Sequence, residues 1–343
     1  MIGERVRHVR EACQLTQEEL ARSSGVAQPT ISQIEAGRIL KPSTDVIERI
    51  AAATLYPATF FYLGPLPDMP EGRYRRMSRS SPKVSRQIRA QVRQIVELVQ
   101  RAEPEIRLPA VAIDPIRATE RVTDATIDQL AYSTRRLLGL GDRDPIPNVM
   151  RAVERGGVIV VRLPHGTPDH DGFSAWPDYG LEGRPVVAVT GSHPGDRDRF
   201  SVAHELGHLL LHTAREAQHP KLAESEAHLF AGAFLLPRSA AIELLRPPIT
   251  LRVLMGVKAH FGVSMAMTAR RAFQLELIDR QHYASLLKQL SARRWSRNEP
   301  IEVRPEEPQL IKKVVDRLAG SGSLRQRADR LSLPVFALAA IAA

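Results

Sequence analysis

His204-Glu205-Leu206-Gly207-His208 constrains this chain more than any other stretch. In a helix, residues four apart share a face, so His204 and His208 can hold one metal ion together. Glu205 then stands beside the ion rather than on it, where a general base for a metal-bound water belongs. Val202, Leu206, Leu209 and Leu210 supply the helical period around the motif, and Arg199 to Ala203 reads as the first turn of that helix. Upstream, Pro185-Val186-Val187-Ala188-Val189-Thr190 reads as a strand of β-branched residues. Residues 191–196 are rich in turn formers and join the two. The reaction proposed by this layout is metal-assisted hydrolysis.

A catalytic zinc takes three protein ligands and keeps a further position for water. His212 continues the same face but drifts away by a further turn, so it reads as a packing histidine or as support for a ligand. Ala214 and Leu211 stand where a metzincin has His and Gly, which excludes that class. Glu224 is the better third ligand. Residues 222–236 read as a second helix stopped near Pro237, with Glu224, Ala227 and Ala231 on one face. The two alanines let this helix approach the metal helix closely. Glu226 falls on another face and reads as a solvated surface charge. The expected site is therefore Glu205 as base and His204, His208 and Glu224 as ligands of one Zn2+ per chain.

The two motifs together, residues 204–212 and 224–237, resemble the ImmA/IrrE family of zinc-dependent metallopeptidases, over about residues 120–300. The resemblance implies that His204, His208 and Glu224 bind zinc and that Glu205 is the base. It also implies a protein substrate of repressor or antitoxin type. His228 departs from the Asp or Asn of related zinc peptidases. It lies one turn after Glu224 on the same face. Support for a ligand and plain packing or surface placement both stand open, and it is left out of the expected site.

Residues 1–64 read as five short helices. Ile2, Val6 and Val9 give the first an apolar stripe. Thr16 caps the second, Gln17 to Ser24, and Glu19 completes a capping box. Gly25 ends it, and Gln28 to Glu35 makes the third, with Pro29 in its permitted first turn. Ser43 caps a fourth to about Ala53, and Pro57 opens a short fifth. Helix, glycine turn and polar-fronted helix make a helix-turn-helix, with Leu20, Ala21, Val26, Ile31 and Ile34 as its core. That leaves Gln28, Thr30, Ser32 and Gln33 outward, and base edges in the major groove are read by such amides and hydroxyls. Residues 15–21 and 25–37 resemble the Cro/CI (XRE-type) helix-turn-helix family. By that analogy Gln17 bonds a phosphate, and Gln28, Thr30 and Gln33 face bases of a double-stranded operator bound by a homodimer.

The expected fold class is multidomain and mainly α with a small β-sheet. It comprises a helix-turn-helix domain (1–66), a basic linker and connecting helix (67–115), an α+β zincin-like core (116–240) and a helical C-terminal region (241–343). A net charge of +10 suits a phosphate-rich partner. The basic cluster Arg73, Arg75, Arg76, Arg79, Lys83, Arg86 and Arg89 is either a contact to DNA backbone or a solvated linker. The helix from Val84 to Ala102 carries Ile88, Val92, Ile95, Val96 and Val99 on one side, to pack on either domain or on its copy. Strands are expected at Val158 to Val161 and Phe173 to Trp176, with an edge able to hold an extended peptide. Histidines 165, 170 and 193 lie in loops near the expected site. Residues 251–277 outline another helix-turn-helix, either a second DNA contact or a helical subdomain packing the core. Cys13 is the single cysteine, which excludes a disulfide framework and a cysteine zinc site. No apolar run suits a signal peptide or membrane span, and a cytoplasmic regulator is expected. The alternative to an active peptidase is a transcription factor whose peptidase fold is a non-catalytic sensor.

Overall fold

Two β-branched runs and a short Gly-Phe-Ser-Ala segment pair into one sheet in this computed structural model, which describes residues 1–69, 82–117, 122–163, 172–177, 183–190, 193–215, 219–295 and 298–342. Arg73, Arg75, Arg76, Arg79, His165, His170 and part of the 191–196 turn lie outside the described residues. The strands are β1 (Ile159–Leu163), β2 (Gly172–Ala175) and β3 (Val186–Thr190), in the order β1-β3-β2. β1 runs parallel to β3 with Ile159 opposite Val186, and β2 runs antiparallel to β3 with Ala175 opposite Val186. Successive side chains leave a strand on opposite faces. Val160, Val187 and Val189 enter one core, whereas Ile159, Val161, Leu163, Phe173, Ala175, Val186 and Ala188 enter another. Both faces are covered, which is why β1 and β3 read as near-continuous apolar runs rather than alternating ones.

Helices build both layers. The N-terminal bundle holds α1 (Ile2–Ala12), α2 (Gln17–Ser24), α3 (Gln28–Glu35) and α4 (Thr44–Thr54). The expected fifth helix is a 3-10 turn, Ala58–Tyr62, after Pro57 in extended conformation. Thr16 makes the expected capping box with Glu19, and Gly25 takes the left-handed φ of +68° that lets α2 turn into α3. The bundle core includes Leu20, Val26, Ile31 and Ile34, with Ala21 half-buried at its margin. Burial pushes the Cys13 thiol up to about 11, so the single cysteine is a packing residue.

Helix α5 (Pro82–Ala102) is the spine of the molecule. Ile88, Val92, Ile95, Val96 and Val99 pack against the sheet, and Ala90 enters the bundle core. Its apolar stripe is thus covered within the chain. Arg5 of α1, fully buried, donates to Glu97 of α5 at 2.5 Å and to the Gly64 carbonyl at 2.7 Å. Arg93 reaches Glu4 at 2.6 Å. Helices α14 (Leu310–Ala319), α15 (Leu324–Leu331) and α16 (Val335–Ala342) complete this layer.

The opposite layer comprises α6 (Asp124–Leu137), α7 (Val149–Arg155), α8 (Gly195–His212) and α9 (Pro220–Leu235), then α10 (Arg238–Leu244), α11 (Leu251–Phe261), α12 (Met265–Gln274) and α13 (Arg280–Ala292). Helix α8 starts at Gly195, a full turn before the expected Arg199. Asp196 and Asp198 complement the positive end of the helix, and they are tied to Lys258 at 2.6 Å and Arg162 at 2.8 Å. Helix α12 packs into the core through Met265, Ala269 and Ala272, and its buried Arg271 bonds Asp128 at 2.5 Å. This favours the core-packing subdomain over a second DNA contact for residues 251–277. No helix among the described residues is long and apolar enough to cross a membrane.

Candidate functional site

The site begins with how closely α8 and α9 meet. Gly207 lies against Ala227 and Phe230, and a Cβ added at Gly207 would stand 3.3 Å from the Ala227 Cα and 3.2 Å from the Phe230 Cβ. Glycine and alanine at this crossing let the two backbones approach. Glu224 of α9 thereby meets α8, with Oε2 3.4 Å from the His204 Nε2. One turn along α8, the His208 Nε2 lies 3.0 Å from the same His204 nitrogen. Zinc–ligand bonds of about 2.0–2.1 Å in a tetrahedron set ligand atoms roughly 3.3 Å apart. Each of these spacings, His204 to Glu224 and His204 to His208, suits a pair of ligands on one divalent cation.

His228, which the sequence reading left out of the site, stands with His204 and Glu224. Ligand atoms of His204, Glu224 and His228 all lie within 4.8 Å of one another. The His228 ring meets that of His204 edge-on at 4.5 Å, and its Nδ1 bonds the Glu224 carbonyl at 2.9 Å. Among the described residues, the three ligand groups that lie mutually close are thus His204, Glu224 and the exposed His228, whereas the buried His208 is paired with His204. The i+4 spacing puts His228 on the same face of α9 as Glu224.

Glu205 points to the sheet side. Ser174 of β2 donates to its Oε2 at 2.5 Å. Gly172 lies close enough that an added Cβ would stand 2.9 Å from the Glu205 Cγ. The side chain is 4% exposed and is fixed between these two strand residues beside the histidine pair. The signal for Ser174 in the sequence was a hydroxyl inside an otherwise apolar strand.

Glu226 is not a solvated surface charge. It is 4% exposed, and its Oε2 receives the His212 Nε2 at 2.9 Å and also contacts the Arg215 guanidinium. Helical phase alone placed it off the metal face. It did not show that the end of α8 and the Arg215 turn close over that face. His212 in turn meets the His208 Nδ1 at 2.8 Å.

In the N-terminal bundle, the Gln28 Nε2 donates to the Gln17 Oε1 at 2.9 Å, and the Gln17 Nε2 donates to the Glu35 Oε2 at 2.9 Å. Arg10 holds that carboxylate from below with bonds of 2.7 and 2.8 Å. The Glu35 hydrogen bond raises the Arg10 guanidinium above its ordinary value, against the opposing effect of burial. Gln17 and Gln28 are thus held in fixed rotamers at the start of α2 and α3. Thr30 and Ser32 are half-buried, and Gln33 is exposed.

Two family models match separate parts of the chain. Residues 153–273 match the IrrE N-terminal-like domain of the peptidase M78 type, and residues 2–56 match a helix-turn-helix domain. An uncharacterised HTH-type transcriptional regulator of Mycobacterium tuberculosis, found in two strains, is 40% identical over 61 residues. That match covers 18% of this chain and 43% of the relative, so the chain spans less than half the length of the curated relatives it matches.

Proposed function

We propose that this chain is a DNA-binding transcriptional regulator that also carries a zinc-dependent endopeptidase site, acting on a repressor-type or antitoxin-type protein. The observation that supports it most is the spacing of His204 Nε2 from His208 Nε2 (3.0 Å) and from Glu224 Oε2 (3.4 Å), with Glu205 fixed beside them. His204, His208 and Glu224 would hold the zinc, which when bound supplies an acidified water and polarises a peptide carbonyl. Glu205 takes the proton from the attacking water and passes it to the leaving amide nitrogen. Ser174 keeps that carboxylate in one rotamer during the transfer. β2 has β3 as its strand partner among the described residues, and its other edge suits main-chain pairing with an extended peptide. Substrate laid there passes Gly172 and Ser174, the residues that touch the base.

On the DNA side, Gln28, Thr30, Ser32 and Gln33 face the major groove and Gln17 takes a phosphate. A homodimer would read two half-sites one helical turn apart. The deciding experiment incubates zinc-loaded wild type and Glu205→Gln with candidate repressors, including the N-terminal bundle of this chain itself. Cleavage by wild type and none by the variant, with zinc and operator binding equal in both, is the expected result. Equal cleavage by the variant removes Glu205 as the base. The non-catalytic sensor is favoured by one observation, the direct seating of the bundle on α5 and of α5 on the sheet. It predicts that zinc alters operator affinity while neither protein cuts any chain.

A further inference from the structure

Basic side chains at the start of α5 sit beside the end of α2 that faces DNA. Gln28, the first residue of α3, donates to Gln17, the first residue of α2, at 2.9 Å. The two helices therefore present neighbouring N-termini. In a helix-turn-helix the second helix enters the major groove by its N-terminal residues, and the first crosses the sugar-phosphate backbone. The start of α2 is then the end that meets the backbone, and its N–H groups and positive dipole end suit a phosphate. Glu18 and Glu19 in the same turn oppose that. The Glu19 Oε2 accepts the Thr16 N–H at 2.7 Å, and this bond holds the carboxyl below its ordinary value. It is therefore charged at neutral pH and repels phosphate.

Lys83 of α5 offsets that charge. Its Nζ lies 3.6 Å from the same Glu19 oxygen, and its side chain is 44% exposed. An exposed ion pair of this length holds its lysine weakly, so the ammonium can turn from carboxylate to phosphate. The placement is fixed by the helix that carries it. Gln14, in the turn before α2, bonds the buried Gln87 of α5, and Ala90 one turn on enters the bundle core. Lys83, Gln87 and Ala90 thus share the side of α5 that meets the bundle. Arg86, three residues after Lys83, lies on that side and is exposed. It stands near Glu11 of α1, whose carboxyl is raised by burial and drawn down by the charges of Arg10, Arg86 and Arg7.

We propose that Lys83 and Arg86 are contacts to the DNA backbone. They extend the phosphate-binding end of α2 onto α5 and add affinity common to every DNA sequence. The proposal rests on the DNA-binding reading of the N-terminal bundle and does not involve the metal site. A solvated linker, the other meaning these charges had in the sequence, needs no buried glutamine to hold it against α2.

The test measures fluorescence anisotropy of two unrelated mixed-sequence DNA duplexes across a salt series. The proteins are wild type, Lys83→Gln, Arg86→Gln, Glu19→Gln and Lys288→Gln, with urea unfolding as the control for fold. Lys288 is exposed on α13 and controls for net charge alone. Lys83→Gln and Arg86→Gln should each weaken both duplexes alike. Each should lower the slope of log affinity against log salt by about 0.9 per bound chain. Glu19→Gln keeps its part in the capping box and should tighten binding, opposite in sign to Lys83→Gln. Lys83→Gln and Arg86→Gln proteins with the affinity and slope of Lys288→Gln overturn the proposal. So does a Glu19→Gln loss equal to that of Lys83→Gln, since the ion pair would then serve only the fold. A wild type that binds neither duplex at low salt removes the DNA-binding reading itself, and the proposal with it.

Discussion

Replacing Gly207 by alanine tests whether the α8–α9 crossing builds the site. The added Cβ would stand 3.0 Å from the Phe230 Cδ1, 3.2 Å from the Phe230 Cβ and 3.3 Å from the Ala227 Cα. Carbon pairs are best about 3.5–4.0 Å apart. Phe230 is fully buried and the Ala227 Cα is backbone, so neither gives way freely. The two helices must part by roughly 0.3–0.5 Å to restore normal contact. Two effects compete. Alanine is favoured over glycine inside a helix by about 1 kcal/mol, and forcing a methyl into a packed contact costs about 1–3 kcal/mol. The net expectation is a loss of about 0–2 kcal/mol of stability, read from urea unfolding of the metal-free protein. The parting also widens the gap of 3.4 Å between the His204 Nε2 and the Glu224 Oε2. If about 1.4 kcal/mol is lost there, zinc affinity falls about tenfold, measured by chelator competition. A Gly207→Ala protein that gained about 1 kcal/mol and bound zinc like wild type would refute the argument. The glycine would then be only a weak point in a helix.

Other outcomes are open to direct measurement. His208→Ala should abolish stoichiometric zinc binding, whereas His228→Ala should leave it in place, read by metal analysis after dialysis; the reverse pattern assigns the exposed histidine as the ligand. Glu97→Ala leaves the fully buried Arg5 guanidinium without its carboxylate and should cost about 3–5 kcal/mol in urea unfolding. Burial, with Arg93 and Arg5 nearby, lowers His8 from 6.5 to about 3. The unfolded chain therefore takes up that proton first as pH falls. Stability from His8 is full above 6.5 and drains away toward 3, with roughly 2 kcal/mol lost by pH 5; His8→Gln should flatten that acid limb of the stability curve. Gln33→Ala should change base preference at one operator position while leaving the salt dependence of binding unchanged, as read from binding curves on operator variants.

Much was legible in local sequence because its causes are local. Helical period, capping residues and β-branched runs act within a few positions. They gave α2 and α3 their observed limits and placed the three strands to within a residue or two. The pairing of His204 with His208 is likewise a property of one helix, fixed by its pitch. Glu224 could be picked out because Ala227 and Ala231 advertised a close helix contact. The first turn of α8 was not legible, since Gly195 and the turn before it read as a loop. Its acids are anchored by Arg162 and Lys258, remote in the chain.

What only the tertiary structure decided was which faces meet. Helical phase put Glu226 on a different face from Glu224, and the fold covered that side with His212 and Arg215. The apolar stripe of α5 suited several partners, and the sheet took it. Ser174 was one hydroxyl in an apolar strand until β2 came to lie beside Glu205. Local sequence sets the direction in which a side chain leaves its own backbone. Its neighbour across a contact depends on segments distant in the chain, and no period within a single element encodes them.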